Sequence, residues 1–292
     1  MTTPHLAFMV LINLIWGFAL VAGKGSLEHF PPFLFMALRF GIVALVLLPV
    51  LTIHWGRMRE VILIALCAGP IGFGFFFAGL AVAEASVVAI ATQMGVPIST
   101  IFSVMFLGER VRWRRWLGIT LAFLGVMVIS FDPRVFGYIE GLIFVLCSAI
   151  VGSFGTILQR QIKGVGTFEL QAWVATVAFP CSLAATFLFE AGDPVALMES
   201  ADWLEWGGVV YVAFASSLVG HAGIYWLLQR YEVSQTAPYT LLAPLFTVTF
   251  GVWLLGDMLT WRMVLGGVIT LVGVLIISMR EKDFTERLPR GA

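Results

Sequence analysis

Few side chains in this sequence could do chemistry, because its apolar stretches are almost free of charge. Arg39 stands seven residues into the run that begins at Pro32, a depth of ~10 Å at 1.5 Å per helical residue. Ionisable groups inside membrane segments are costly and mark functional positions. Arg39 offers a fork of donors to a carboxylate; the alternative is a structural role, snorkelling outward or stacking on an aromatic ring. His221 lies within a later run. It could carry a proton or donate a hydrogen bond, or it could simply be tied to a backbone carbonyl. Asn13 and Trp16 are three residues apart, on one face of a helix. An amide there belongs inside a bundle rather than against lipid. Trp173 also falls within a run, in the region of the second half that answers to Arg39.

Uncharged polar groups recur beside prolines. Thr92-Gln93 precedes Gly95 and Pro97, and Tyr239-Thr240 precedes Pro244. Proline inside a helix frees a carbonyl and bends the segment. Membrane helices tolerate such breaks where they line a cavity or are otherwise re-satisfied, and broken helices at matching places in two halves point to a binding site. The competing reading is two structural kinks whose Thr hydroxyls bond back to their own helix. Phe73, Phe75, Phe76 and Phe77 crowd one run among glycines. Not all share a face, and Phe76 is the one taken as a pocket candidate, against a default of lipid contact.

Catalysis would need more than this. The four histidines stand at 5, 29, 54 and 221, and the cysteines at 67, 147 and 181. They form no convergent acid–base, nucleophilic or metal-ligand set, so no metal, no cofactor and no enzyme activity are expected. The odd cysteine count, all in apolar runs, speaks against a disulfide framework. The glycines from Gly69 to Gly79 lack the Lys-Ser/Thr of a phosphate loop, and close helix packing explains them better.

The elements that position these residues are membrane spans. Of 292 residues, 60% are hydrophobic and 12% charged, about half the charge of a soluble domain. The formal net charge of zero argues against nucleic acid as a partner. With about 20 apolar residues needed per span, ten candidates emerge: roughly 6–23, 33–53, 61–82, 85–107, 113–130, 139–159, 167–189, 204–229, 233–255 and 262–279. The first is read as a retained span rather than a signal peptide, since no Lys or Arg precedes it.

The chain also contains one stretch twice. Shifted by 148, residues 85–130 fall on 233–278 with 15 of 46 positions identical. The match includes Leu107-Gly108 with Leu255-Gly256, Trp113-Arg114 with Trp261-Arg262, and Gly118 and Gly125 with Gly266 and Gly273. Glu109 answers to Asp257, each read as a cap or a partner of a nearby Arg, while Glu84 is read as a solvated turn residue. The first turn carries Arg110, Arg112, Arg114 and Arg115, whereas the second keeps only Arg262. Cytoplasmic loops are enriched in Lys and Arg. With both termini inside and ten alternating spans, 13 of the 17 Lys and Arg fall inside, three outside, and Arg39 within a span. The two turns then face opposite sides, as in inverted-repeat transporters.

Several features together resemble the drug/metabolite transporter superfamily, and specifically its ten-span EamA-type members. They are Asn13-x-x-Trp16-Gly17, the stretch from Pro32 to Arg39, Ala85-Ser86 leading to Pro97, Leu107-Gly108-Glu109-Arg110, and the echo from Ser234 to Asp257. Asp257 stands where the family usually has Glu, and Val151-Gly152 where it often repeats Trp-Gly. The resemblance implies an all-α membrane protein with ten transmembrane helices in two inverted five-helix repeats around a central cavity. The first repeat would span residues 1–135, the second 136–280, with a cytoplasmic tail at 281–292. It implies a monomeric secondary transporter in the inner (plasma) membrane. That transporter would export aromatic or other neutral amino acids, or related metabolites and drugs, by alternating access. A channel-like facilitator and, less so, a membrane enzyme are the alternatives. Without an ATP-binding domain or buried carboxylates, transport is expected to be facilitated or weakly proton-linked.

Overall fold

A computed structural model describes residues 3–108, 113–133, 135–162, 164–228 and 239–278. Every regular element among them is helical. The sequence-derived spans coincide with these helices to within a few residues, except 233–255, whose first residues lie outside the described ones and whose helix is described from Leu242. We label them α1 (Thr3–Leu27), α2 (Pro32–Val50), α3 (Met58–Val82), α4 (Ala85–Leu107), α5 (Trp113–Ser130), α6 (Ile139–Gln161) and α7 (Thr167–Phe189). Then come α8 (Pro194–Ser200), α9 (203–228), α10 (Leu242–Leu255) and α11 (Trp261–Ser278). Six of them, α1 to α4, α6 and α7, are each long and apolar enough to cross a membrane. Glu109 and the Arg110–Arg112 part of the basic turn, the stretch 229–238, and residues 279–292 including the tail lie outside the described residues. The short helix α8 was not expected. Asp193 caps it by accepting from the Val195 amide at 2.9 Å, and Pro194 takes its first position, where a missing N–H costs nothing.

The repeated Leu-Gly-acid turn has a local explanation. Gly108 ends α4 at φ +66° and Gly256 ends α10 at φ +72°, the left-handed cap that glycine adopts without strain. The acid that follows Gly256 then turns outward to a neighbour: Asp257 Oδ2 accepts from the Ser86 amide at 2.9 Å and the Ser86 hydroxyl at 2.6 Å. It therefore caps the start of α4, from the far half of the chain. Glu84 differs from expectation. It is half-buried, and its Oε2 is shut off from solvent rather than solvated.

Irregular winding is confined to particular helices. A tight turn at Thr92–Met94 breaks α4 just before Pro97, and Leu241 interrupts the helix just before Pro244. Wider, π-type winding occupies Cys67–Ile71 in α3 around Pro70, Val212–Gly220 in α9, and Gly251–Leu255 in α10. Such bulges expose backbone carbonyls and recur at functional sites.

Packing proceeds through small residues. On α5 and α11, a Cβ on Gly118 would come within 2.7 Å of the Gly273 carbonyl oxygen, and one on Gly273 within 2.6 Å of that of Gly118. Gly125 and Gly266 stand to each other in the same way, at 2.5 Å in both directions. The two helices thus run antiparallel with their backbones in contact. Elsewhere α2 packs on α7, α3 on α6, and α1 on both α9 and α10. The Thr247 hydroxyl reaches the Gly17 carbonyl at 3.1 Å, and the Ser153 hydroxyl reaches the Gly95 carbonyl at 3.0 Å.

These contacts define two ends. One, the Glu84 end, gathers the end of α1, the start of α2 and the α3–α4 turn. There Lys24 donates to the Leu80 and Ala81 carbonyls at 2.8 Å each. Glu190, just past α7, accepts from the Phe33 and Leu34 amides at 2.5 and 3.0 Å. The other, the Gly164 end, gathers the α2–α3 and α6–α7 connections, where His54 pairs with Glu169 at 3.2 Å.

Candidate functional site: two chambers meeting at Arg39

The interior is not solid. A cavity of about 350 Å³ runs from mid-bundle toward the Gly164 end, lined by Val43, Ile64, Ala68, Gln159, Thr167 and Gln171 among others. A second, of about 210 Å³, extends the opposite way, between Trp16, Leu20, Phe76, Phe77 and Val212. Arg39, Phe73 and His221 line both, so these side chains form the septum between them. Beyond the smaller chamber the Glu84 end is close-packed. Phe30, Phe35, Met36 and Leu80 there are fully buried.

Arg39 projects from α2 and is 3% exposed. Its guanidinium lies 4.6 Å from the Phe73 ring centre, 5.0 Å from Phe40 and 5.3 Å from Phe77. Stacking on rings compensates part of the lost hydration. Its polar contact is the Ser217 hydroxyl, which accepts from Nη2 at 3.0 Å and Nε at 3.3 Å. Among the described residues Arg39 makes no ion pair. A cation held in a low-dielectric interior without a counter-ion costs several kcal/mol, and its edge facing Ser217 is the side of the guanidinium that fits a carboxylate.

The π-wound middle of α9 organises everything around this cation. In that winding the Ser217 hydroxyl donates to the carbonyl of Val212, five residues back, at 2.9 Å. The Ser216 carbonyl accepts from His221 Nδ1 at 3.0 Å and, at the long limit of 3.4 Å, from Trp16 Nε1. The Ser217 carbonyl accepts from Gln171 Nε2 at 2.7 Å. A carbonyl only accepts, so Nδ1 of His221 carries a hydrogen here. Side chains from α1, α2 and α7 therefore converge on two consecutive serines of α9. Trp16 and His221 also meet edge to face, 5.6 Å between ring centres.

The sequence candidates divide accordingly. Arg39 and His221 form the septum, and Trp16 and Phe76 wall the smaller chamber. Asn13 is fully buried one turn before Trp16; its amide donates to the Met9 carbonyl at 2.7 Å, and its Oδ1 has no hydrogen-bond partner among the described residues. The remaining candidates do not border these two chambers. The Thr92 hydroxyl bonds back to Ala89 at 2.9 Å, Gln93 is half-buried at the break in α4, and Pro97 is buried. Trp173 donates to the Thr52 carbonyl at 2.8 Å, toward the Gly164 end. Tyr239 packs with Met9, Ile12 and Leu227, Thr240 is half-buried, and Pro244 is buried in α10. Sequence reasoning passed over Ser216, Ser217 and Gln171. Two adjacent serines mid-span, four residues ahead of a histidine, were the available signal.

The EamA-like transporter family matches residues 3–131 and, again, residues 139–279. The chain belongs to the EamA-like transporter family. Its relatives match over three quarters to nearly the whole of the chain. One described as an "Uncharacterized transporter" of Archaeoglobus fulgidus is 24% identical over 280 residues, covering 94% of this chain and 98% of that protein. A "Probable amino-acid metabolite efflux pump" of Escherichia coli is 25% identical over 275 residues, covering 91% and 92%. A "Probable terminal-alkyne amino-acid exporter" of Streptantibioticus cattleyicolor is 29% identical over 233 residues, covering 77% and 75%. A solved crystal structure shares the fold with a TM-score of 0.64 at 19% identity, covering 94% of this chain and 96% of its own. As a member of this family the protein is a multi-pass membrane transporter of small molecules.

Proposed function

We propose that this EamA-family protein exports amino acids, aromatic and other neutral ones foremost, or related metabolites, and that Arg39 receives their carboxylate. The observation that carries the reading is a buried guanidinium with no acidic partner among the described residues, placed where two chambers meet. The carboxylate would take the Arg39 edge. The apolar side chain would enter the smaller chamber, whose walls are Trp16, Leu20, Phe76 and Phe77, and aromatic walls favour aromatic or large aliphatic groups. The relatives described as amino-acid exporters point the same way.

The mechanism we infer is alternating access by two inverted five-helix repeats, residues 1–135 and 136–280, that together make ten spans. Two features support the inversion. Under the 148-residue shift Gly118 becomes Gly266 and Gly125 becomes Gly273, so the contacts Gly118–Gly273 and Gly125–Gly266 exchange. That is what a two-fold axis in the membrane plane requires. Similarly α3 packs on α6 as α9 packs on α1, and both α3 and α9 carry a π-wound centre. The Lys and Arg bias makes the Gly164 end cytoplasmic. The larger chamber then opens inward, and the packed Glu84 end closes the outside. With no carboxylate at the septum among the described residues, export runs down the solute's own gradient or with weak proton linkage.

Purified protein in liposomes, loaded with unlabelled L-phenylalanine, should accumulate radiolabelled L-phenylalanine by counterflow, saturably and without an imposed pH gradient. Ohmic, non-saturating flux would make it a channel. Counterflow that needs a pH gradient and is abolished in His221→Ala would contradict the uncoupled mechanism.

A further inference from the structure

We infer that Ser217 is a placeholder for the transported carboxylate, and that its displacement from Arg39 unlocks the π-wound segment Val212–Gly220; this rests on Arg39 being the carboxylate receptor. Two donors of Arg39, Nε and Nη2, converge on one hydroxyl oxygen at 3.3 and 3.0 Å. These two donors form one edge of the guanidinium, and such an edge fits two carboxylate oxygens side by side. The hydroxyl therefore underfills it. The rings of Phe40, Phe73 and Phe77 crowd the guanidinium, so an anion entering along the larger chamber has this edge to compete for.

The same hydroxyl has a second task. It donates to the Val212 carbonyl at 2.9 Å, which ties it into the wide winding of α9. Arg39 thus holds Ser217, and Ser217 closes the π-turn. A carboxylate that takes both donors leaves the hydroxyl free to rotate. Among the described side-chain ties, the winding then loses this one and retains the Gln171 contact to the Ser217 carbonyl and the His221 and long Trp16 contacts to the Ser216 carbonyl, so it is held less firmly. A π-turn carries one residue more than an α-turn, and it persists only when its surroundings hold it. Occupancy of Arg39 would in this way be transmitted to α9, which packs against α1 and α2. Ser217 acts through Arg39 and is a positioning residue.

The test uses the full chain in detergent, with L-phenylalanine as the carboxylate probe and L-phenylalaninamide, which keeps the amino group and lacks the carboxylate, as its counterpart. Binding is followed by the shift in melting temperature, and α9 by hydrogen–deuterium exchange. L-phenylalanine should accelerate exchange over 212–220 about tenfold, and the amide should not. Ser217→Ala should show the fast exchange without ligand and bind L-phenylalanine about fivefold tighter, since a competing hydrogen bond is gone, while counterflow slows. Ser217→Thr, which keeps the hydroxyl, should behave as the parent. If Ser217→Ala does not fold, Ser217→Cys, with its weak hydrogen bonding, takes its place. L-phenylalanine binding that leaves 212–220 protected overturns the placeholder while leaving Arg39 as receptor. So does weaker binding in the Ser217 variants. Failure of L-phenylalanine to bind the parent protein overturns both.

Discussion

Replacing Arg39 by Gln removes the septum's positive charge while keeping a polar side chain of intermediate length. A guanidinium and a carboxylate about 4 Å apart attract by roughly 4 kcal/mol at the effective dielectric of ~20 appropriate to protein sites. The Gln amide recovers part of this through one neutral hydrogen bond, worth about 1 kcal/mol. The net loss of roughly 3 kcal/mol corresponds to about a 150-fold weaker Kd, at 1.4 kcal/mol per tenfold. L-phenylalaninamide has no carboxylate, so its affinity should change by less than about fivefold in the same variant. The measurement is equilibrium binding of both ligands to purified parent and variant, completing a double-mutant cycle in which the ligand is one of the mutants. A coupling energy near 3 kcal/mol is the expected outcome. Equal losses for acid and amide would show that Arg39 shapes the chamber and reads no charge, and the substrate assignment would fall with it.

Other expectations follow from particular contacts. Gly125→Leu adds a side chain where a Cβ already meets the Gly266 carbonyl oxygen at 2.5 Å. The variant should lose folded protein in a detergent melting assay, whereas Gly207→Leu, where a Cβ meets nothing within 4 Å, should not. Lys24→Met frees the Leu80 and Ala81 carbonyls and should loosen the Glu84 end. A cysteine placed at Phe76 in the smaller chamber would then react faster with external thiol reagents than in the parent. Unchanged reactivity would mean that Lys24 does not hold the outside shut. In a variant lacking Cys67, Cys147 and Cys181, cysteines at Trp55 and Thr260 should label from opposite sides of the membrane. Labelling from one side would reject the inverted arrangement. Asp257→Asn weakens a charge-assisted cap on α4, and should cost about 1 kcal/mol of stability that Ser86→Ala does not add to fully, because the two groups share one contact.

Much of the helical pattern was legible because apolar runs, Gly-Pro separators and a repeated turn all point the same way. Gly108 and Gly256 could be paired by sequence alone, and their left-handed caps explain why both copies keep glycine there. Arg39 and His221 stood out because polar atoms in lipid-length runs are conspicuous. Ser217 did not, since a serine in a membrane helix ordinarily bonds to its own backbone. Its meaning depends on the π winding, which brings its hydroxyl to Arg39 across 178 positions of sequence. Trp173 and Thr92 show the converse. Their residue types fit a pocket, but Trp173 is engaged by the Thr52 carbonyl and Thr92 by its own helix. The periodicity of an all-apolar helix does not say which face meets protein, so chamber walls cannot be separated from lipid contacts by pattern.

The glycine seam between α5 and α11 constrains how any rearrangement can proceed. Backbones that touch at two places a full two turns apart leave little room to slide, because Ile129 already crowds Gly266 and Thr270 already crowds Gly125. Under the alternating access proposed above, the pair would act as a fulcrum of fixed length about which the rest of the molecule rocks. Spacing between residues 118 and 273 should stay constant throughout the working cycle, while that between α1 and α3 at their Lys24 ends opens and shuts.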